Sequence, residues 1–182
     1  NEFMHYQANE FLPSLLIKLG VENPLLIGHS DGASIALIAA SQNKKQPVGV
    51  VAMAPHVIVE DKTISSIQLF QENFHKKNIA DKLCRYHKNP DAMFSRWVKI
   101  WLDPAFRNWS LVGNLKKIKA PLLIIQGKDD IYGTQKQLDI IKNNTQTHLN
   151  IEVLSDCGHS PQFEQPDLTR RLITKFIRHI IN

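Results

Sequence analysis

A serine hydroxyl attacks a carbonyl only when a base takes its proton, and Gly28-His29-Ser30-Asp31-Gly32 offers a serine suited to that chemistry. The pentapeptide fits Gly-x-Ser-x-Gly and stands between an apolar run, Pro24 to Ile27, and the alanine-rich stretch Ala33 to Ala40. That context predicts a strand, a sharp turn carrying Ser30, and a helix. Glycines at 28 and 32 are expected because side chains flanking a strained, tightly turned serine would collide with the strand and helix. The start of the helix adds its dipole, and the backbone N–H of Asp31 points where an oxyanion would form. His29 faces the turn and is read as structural.

Of the eight histidines, His159 fits the base. Asp156-Cys157-Gly158-His159-Ser160-Pro161 follows an apolar run, Asn150 to Leu154, and so lies beyond the carboxyl end of a strand, as Ser30 does. His5, His75, His87, His148 and His179 fall on predicted helices or loops. His56, just past another apolar run, is a candidate for the pocket wall. The base needs a carboxylate to fix its tautomer, and Asp129 and Asp130 both follow the run Pro121 to Gln126 through Gly127-Lys128. Spacing does not choose between them.

Four short apolar runs (Pro24 to Ile27, Val48 to Ala54, Pro121 to Gln126, Asn150 to Leu154) alternate with helical stretches at about 3–19, 33–40, 135–143 and 166–180. Such alternation predicts an α/β fold, a mainly parallel sheet with flanking helices. Segment 56–118 interrupts the rhythm with helical signals alone. There Asn89 caps and Pro90 opens a helix whose Phe94, Trp97, Val98, Trp101 and Leu102 form an apolar face, with Ile64, Ile67, Phe70 and Phe74 as a similar stripe upstream. A helical lid over the sheet suits both packing and a pocket in which Trp97 and Trp101 face substrate. The division is therefore 1–55 and 119–182 for the core, 56–118 for the lid.

With 182 residues, 43% hydrophobic, the chain suffices for one sizeable core. Its net charge of +5 is spread without long basic runs, which argues against nucleic-acid binding. Apolar stretches of about eight residues fall far short of the ~20 that cross a bilayer. Two cysteines, Cys84 and Cys157, suggest neither a disulfide framework nor a zinc site, and a cytoplasmic location is expected.

The order Ser30, Asp130, His159, each after its own strand, resembles the α/β-hydrolase family. That resemblance implies a Ser30–His159–Asp130 triad, because the family's acid commonly takes the fourth place of a Gly-x-x-Asp turn, here Gly127 to Asp130. It implies a partial α/β-hydrolase fold with a helical lid insertion. Gly-His-Ser-Asp-Gly followed by Ala33-Ser34-Ile35 is most similar to the carboxylesterase and carbon–carbon hydrolase branch. The chain lacks the strands and oxyanion loop that precede the nucleophile in that family, and it has no Met at position 1. The sequence thus reads as a portion of a longer enzyme whose first strand is an open edge for self-association. The expected activity is cleavage of a carboxylic ester or thioester with an apolar acyl or aryl group, without metal or cofactor. Carbon–carbon bond hydrolysis, or an inert fragment or binding domain, are the alternatives.

Overall fold

The computed structural model describes residues 2–42, 46–74 and 79–181; His75 lies outside them. Four strands, β1 (Leu25–His29), β2 (Gly49–Met53), β3 (Leu122–Gly127) and β4 (Leu149–Leu154), form one parallel sheet in sequence order. The register pairs Leu26 with Val50, Val51 with Leu123 and Ile124 with Ile151. Because successive side chains alternate faces, Val50, Ala52, Leu122 and Ile124 enter one core. Val51, Met53, Leu123 and Ile125 enter another. Both central strands are therefore buried throughout, which is why they read as unbroken apolar runs rather than alternating ones.

The larger core is closed by α3 (Asp31–Ala40) and α8 (Gln135–Asn144), and the smaller by α10 (Pro166–Ile181), whose Phe176 is buried against β2 and β3. A short α9 (Pro161–Glu164) precedes α10. Between β2 and β3 come α4 (Asp61–Asn73), α5 (Ile79–Leu83), α6 (Pro90–Trp101), a 3-10 turn (Pro104–Phe106) and α7 (Val112–Leu115). Asn89 caps α6 as expected, its Oδ1 accepting from the Ala92 amide at 2.9 Å. Phe74, Phe94, Val98 and Trp101 of this insertion share one buried cluster with Leu37 and Ile124 of the sheet layers, so the insertion packs directly on the α/β body.

The amino-terminal helix departs from expectation. It runs as α1 (Phe3–Tyr6), a π turn (Gln7–Phe11) and α2 (Leu12–Lys18). Pro13 has no amide donor and its ring crowds the carbonyl four residues back, at Asn9, which the wider turn relieves. One extra residue in a turn rotates the remainder of the helix by about 100°. The buried positions are consequently Met4 and Ala8, with Phe3, Leu12 and Leu16 half-buried, while Phe11, Leu15 and Leu19 are exposed. β1 pairs only with β2 among the described residues, and its Ile27 is 51% exposed. No helix among the described residues is long and apolar enough to cross a membrane.

Candidate active site

β1 ends at His29, and Ser30 turns the chain into α3 with φ 55° and ψ −122°, a left-handed strained conformation for a residue with a side chain. The Ser30 amide donates to the Met53 carbonyl at 2.9 Å, anchoring the turn to the end of β2. A Cβ on Gly28 would run into the backbone of Gly32 and Ala33, so glycine is required there. At Gly32 the structure corrects the sequence reading. Among the described residues, a Cβ there meets nothing within 4 Å, because position 32 faces open space at the first turn of α3. As the first residue of α3, Asp31 has a backbone N–H with no partner inside the helix.

His159 reaches the same place from β4. Glu164 of α9 accepts from the Gly158 amide at 2.7 Å and from the Ser160 amide at 2.8 Å, bracketing the histidine from both sides. His29 Nε2 lies 2.7 Å from the His159 carbonyl oxygen, which can only accept, so His29 donates from Nε2 and ties the two loops together. Burial holds the His29 imidazole below its ordinary pKa against the pull of that bond, which keeps the ring neutral. Gly127 allows the acid loop to touch the histidine loop, since a Cβ there would strike the carbonyl oxygens of Cys157 and Gly158.

Ser30 Oγ lies 3.0 Å from His159 Nε2, and His159 Nδ1 lies 2.9 and 3.0 Å from the two oxygens of Asp130. A carboxylate only accepts, so Nδ1 carries the proton and Nε2 presents its lone pair to the serine hydroxyl. Asp130 is 2% exposed, whereas Asp129 is exposed and contributes its amide to the Cys157 carbonyl. Burial would raise the Asp130 pKa, but hydrogen bonds from His159, the Tyr132 amide and Gln126 Nε2 outweigh it and hold it below the usual value. Gln126 and the Tyr132 amide thus complete the acid's surroundings. From α4, Lys62 donates to the Asp130 carbonyl, Thr63 to that of Tyr132 and Ser66 to that of Ile131, each at 2.6 Å, so the insertion fixes the acid loop.

These groups border a cavity of about 160 Å³ lined by His29, Ser30, Asp31, His56, Thr63, Ile67, Trp97, Trp101, Tyr132 and His159. Trp97 and Trp101 lie on its wall, and both indole N–H groups point at Asp31 Oδ2, at 2.9 and 3.4 Å. Burial raises the Asp31 pKa, and the two indole bonds only partly oppose it. His56 is 3% exposed, with its ring 5.0 Å from Trp101 and 6.0 Å from His159. Burial pushes its pKa down to about 4, so the ring is neutral at ordinary pH. Among the described residues, no three His, Cys, Asp or Glu side chains group so as to hold a metal ion.

A parallel sheet with a serine on a strained strand-to-helix turn, facing a histidine and a carboxylate from later strand ends, defines a hydrolase-type α/β architecture. The chain matches the alpha/beta hydrolase family over residues 4–172 and belongs to it. It is 38% identical over 93 residues to monoacylglycerol lipase ABHD6 of Rattus norvegicus, an alignment covering 51% of this chain and 27% of that protein. In fold it is similar to a membrane phospholipase A described as a bacterial virulence factor, with TM-score 0.79 and 20% identity over 98% of this chain and 64% of the other. It is also similar to a meta-cleavage product hydrolase from Pseudomonas fluorescens IP01, with TM-score 0.73 and 16% identity over 97% of this chain and 72% of the other. The matched segments cover about a quarter of the length of those curated relatives.

Proposed function

We propose that this chain carries the catalytic serine, base and acid of an esterase that cleaves carboxylic esters through an acyl-enzyme. The observation behind this reading is the hydrogen-bonded line from Ser30 Oγ through His159 to Asp130. Ser30 gives its proton to His159 Nε2 while Oγ bonds to the ester carbon, and Asp130 stabilises the imidazolium. Negative charge gathers on the carbonyl oxygen, toward which the Asp31 N–H is offered from the start of α3. Collapse of the intermediate expels the alcohol, which takes the proton from His159. Water then repeats the sequence and releases the acid. The helices α4 to α6 act as a lid, with Trp97 and Trp101 as its substrate-facing wall and an apolar acyl or aryl group as its complement.

Sequence similarity to a monoacylglycerol lipase favours an ester over a carbon–carbon bond, for which the likeness is one of fold alone. Intact-mass spectrometry after exposure to a fluorophosphonate tests the reading. A single adduct that disappears in Ser30→Ala is expected. A folded protein that takes no adduct is an inert fragment or binding domain instead.

A further inference from the structure

We propose that His56 is a specificity-determining residue that reads a hydroxyl on the alcohol portion of the ester; this rests on the esterase reading above. Most polar side chains of the cavity are already engaged. His29 is bonded to the His159 carbonyl, Asp31 to two indoles, and the Thr63 hydroxyl to the Tyr132 carbonyl. His56 is different. Neither of its ring nitrogens has a partner among the described residues, and Nδ1 is both enclosed and bare. A ligand in the cavity therefore meets the ring through Nε2, where a hydrogen bond satisfies a nitrogen that the described residues leave unpaired.

The residue is also held in place. Its carbonyl accepts from Ser34 Oγ at 2.7 Å and its amide donates to the same oxygen at 3.1 Å, while Trp101 meets the ring edge-on. The one ring nitrogen that can meet the cavity either donates or accepts, and a hydroxyl, which does both, suits it in either tautomer.

The separation of the two histidines suits the alcohol end of the ester. The leaving oxygen must come within hydrogen-bond reach of His159 to be protonated. The His56 ring centre is 6.0 Å from that of His159, so a hydroxyl one or two carbons beyond the leaving oxygen arrives beside His56. The cavity volume agrees with a compact polar end. At about 160 Å³ it has room for a short polyol beside the reacting ester.

The test compares a glycerol monoester with the propyl ester of the same acid, in the wild type, His56→Phe and His56→Gln. His56→Phe should lower kcat/KM at least tenfold for the glycerol ester and less than threefold for the propyl ester. His56→Gln should restore most of the difference, because its amide again supplies a donor and an acceptor. Equal losses on both esters, or no loss on either, would overturn the proposal. Fluorophosphonate labelling of Ser30 in the same variants keeps this outcome separate from failure of the esterase reading: wild type that labels while showing no preference refutes only the role of His56.

Discussion

Asp31 Oδ2 accepts a hydrogen bond from Trp97 Nε1 at 2.9 Å, joining the residue after Ser30 to the insertion helix α6. The Trp101 indole approaches the same oxygen at 3.4 Å, so one carboxylate holds two aromatic walls of the cavity. Burial disfavours the charge of that carboxylate, yet its oxygens are what the indoles need. Removing charge and acceptor separately therefore gives different results. Asp31→Asn keeps an oxygen acceptor without the buried charge and is expected to unfold in urea within about 1 kcal/mol of the wild type. Asp31→Ala leaves both indole N–H groups bare and should lose about 1–3 kcal/mol, with a change in tryptophan emission and a raised KM. Equal destabilisation in both variants would show that the carboxylate's charge, rather than its oxygen, secures α6.

The adjacent carboxylates give a sharp contrast. Asp130→Asn should reduce ester turnover by about 10⁴, since an amide facing His159 Nδ1 no longer fixes the tautomer that leaves Nε2 free for Ser30. Asp129→Asn alters an exposed side chain and should stay within about twofold, because the amide bond to Cys157 is untouched. Steady-state kinetics on an activated ester measures both. A larger loss in Asp129→Asn would reassign the acid.

Some of this site was legible in the sequence because chemistry restricts the residue types and the strand ends restrict their places. Gly28 to Gly32, Gly127 to Asp130 and Gly158-His159 each follow an apolar run, and the parallel sheet brings those ends to one edge. Supporting contacts were not legible. Glu164 bracketing His159 and Lys62 bonded to the Asp130 carbonyl are ordinary charged residues, whose partners are set by how helices lie on the sheet. Gln126 left a faint signal, a polar residue closing an apolar strand, and it is buried against Asp130. The helical stretch over 3–19 was legible, but the π turn before Pro13, which carries Phe11, Leu15 and Leu19 onto an exposed face, was not.

His56 makes stability depend on pH with a definite sign. Its folded pKa, about 4, lies below the ordinary 6.5, so between these values the unfolded chain binds a proton that the native protein does not. Stability is therefore full above about 6.5 and declines as the pH falls toward 4. From about pH 7.5 to about pH 5 the loss due to this residue is about 2 kcal/mol. Urea unfolding of His56→Gln should show a pH dependence shallower by that amount. The lowered His29 contributes with the same sign and the raised Asp31 with the opposite sign, but both are common to the two proteins. Asp130, held below its usual value, loses its contribution only at lower pH. Parallel curves for the two proteins would mean that His56 protonates in the native state as freely as in water.

The two glycines flanking Ser30 should respond oppositely to alanine. At Gly28 the added methyl meets the backbone of Gly32 and Ala33, which cannot move without shifting the turn that strains Ser30. Gly28→Ala should cost about 3 kcal/mol or more and abolish fluorophosphonate labelling. At Gly32 the methyl enters open space on the first turn of α3, and a less flexible unfolded chain favours the variant by about 0.5 kcal/mol. Gly32→Ala should thus fold at least as stably as the wild type in this chain. Thermal melts with labelling of Ser30 decide the matter. If Gly32→Ala melts as low as Gly28→Ala, another segment packs against α3 where this structure leaves space.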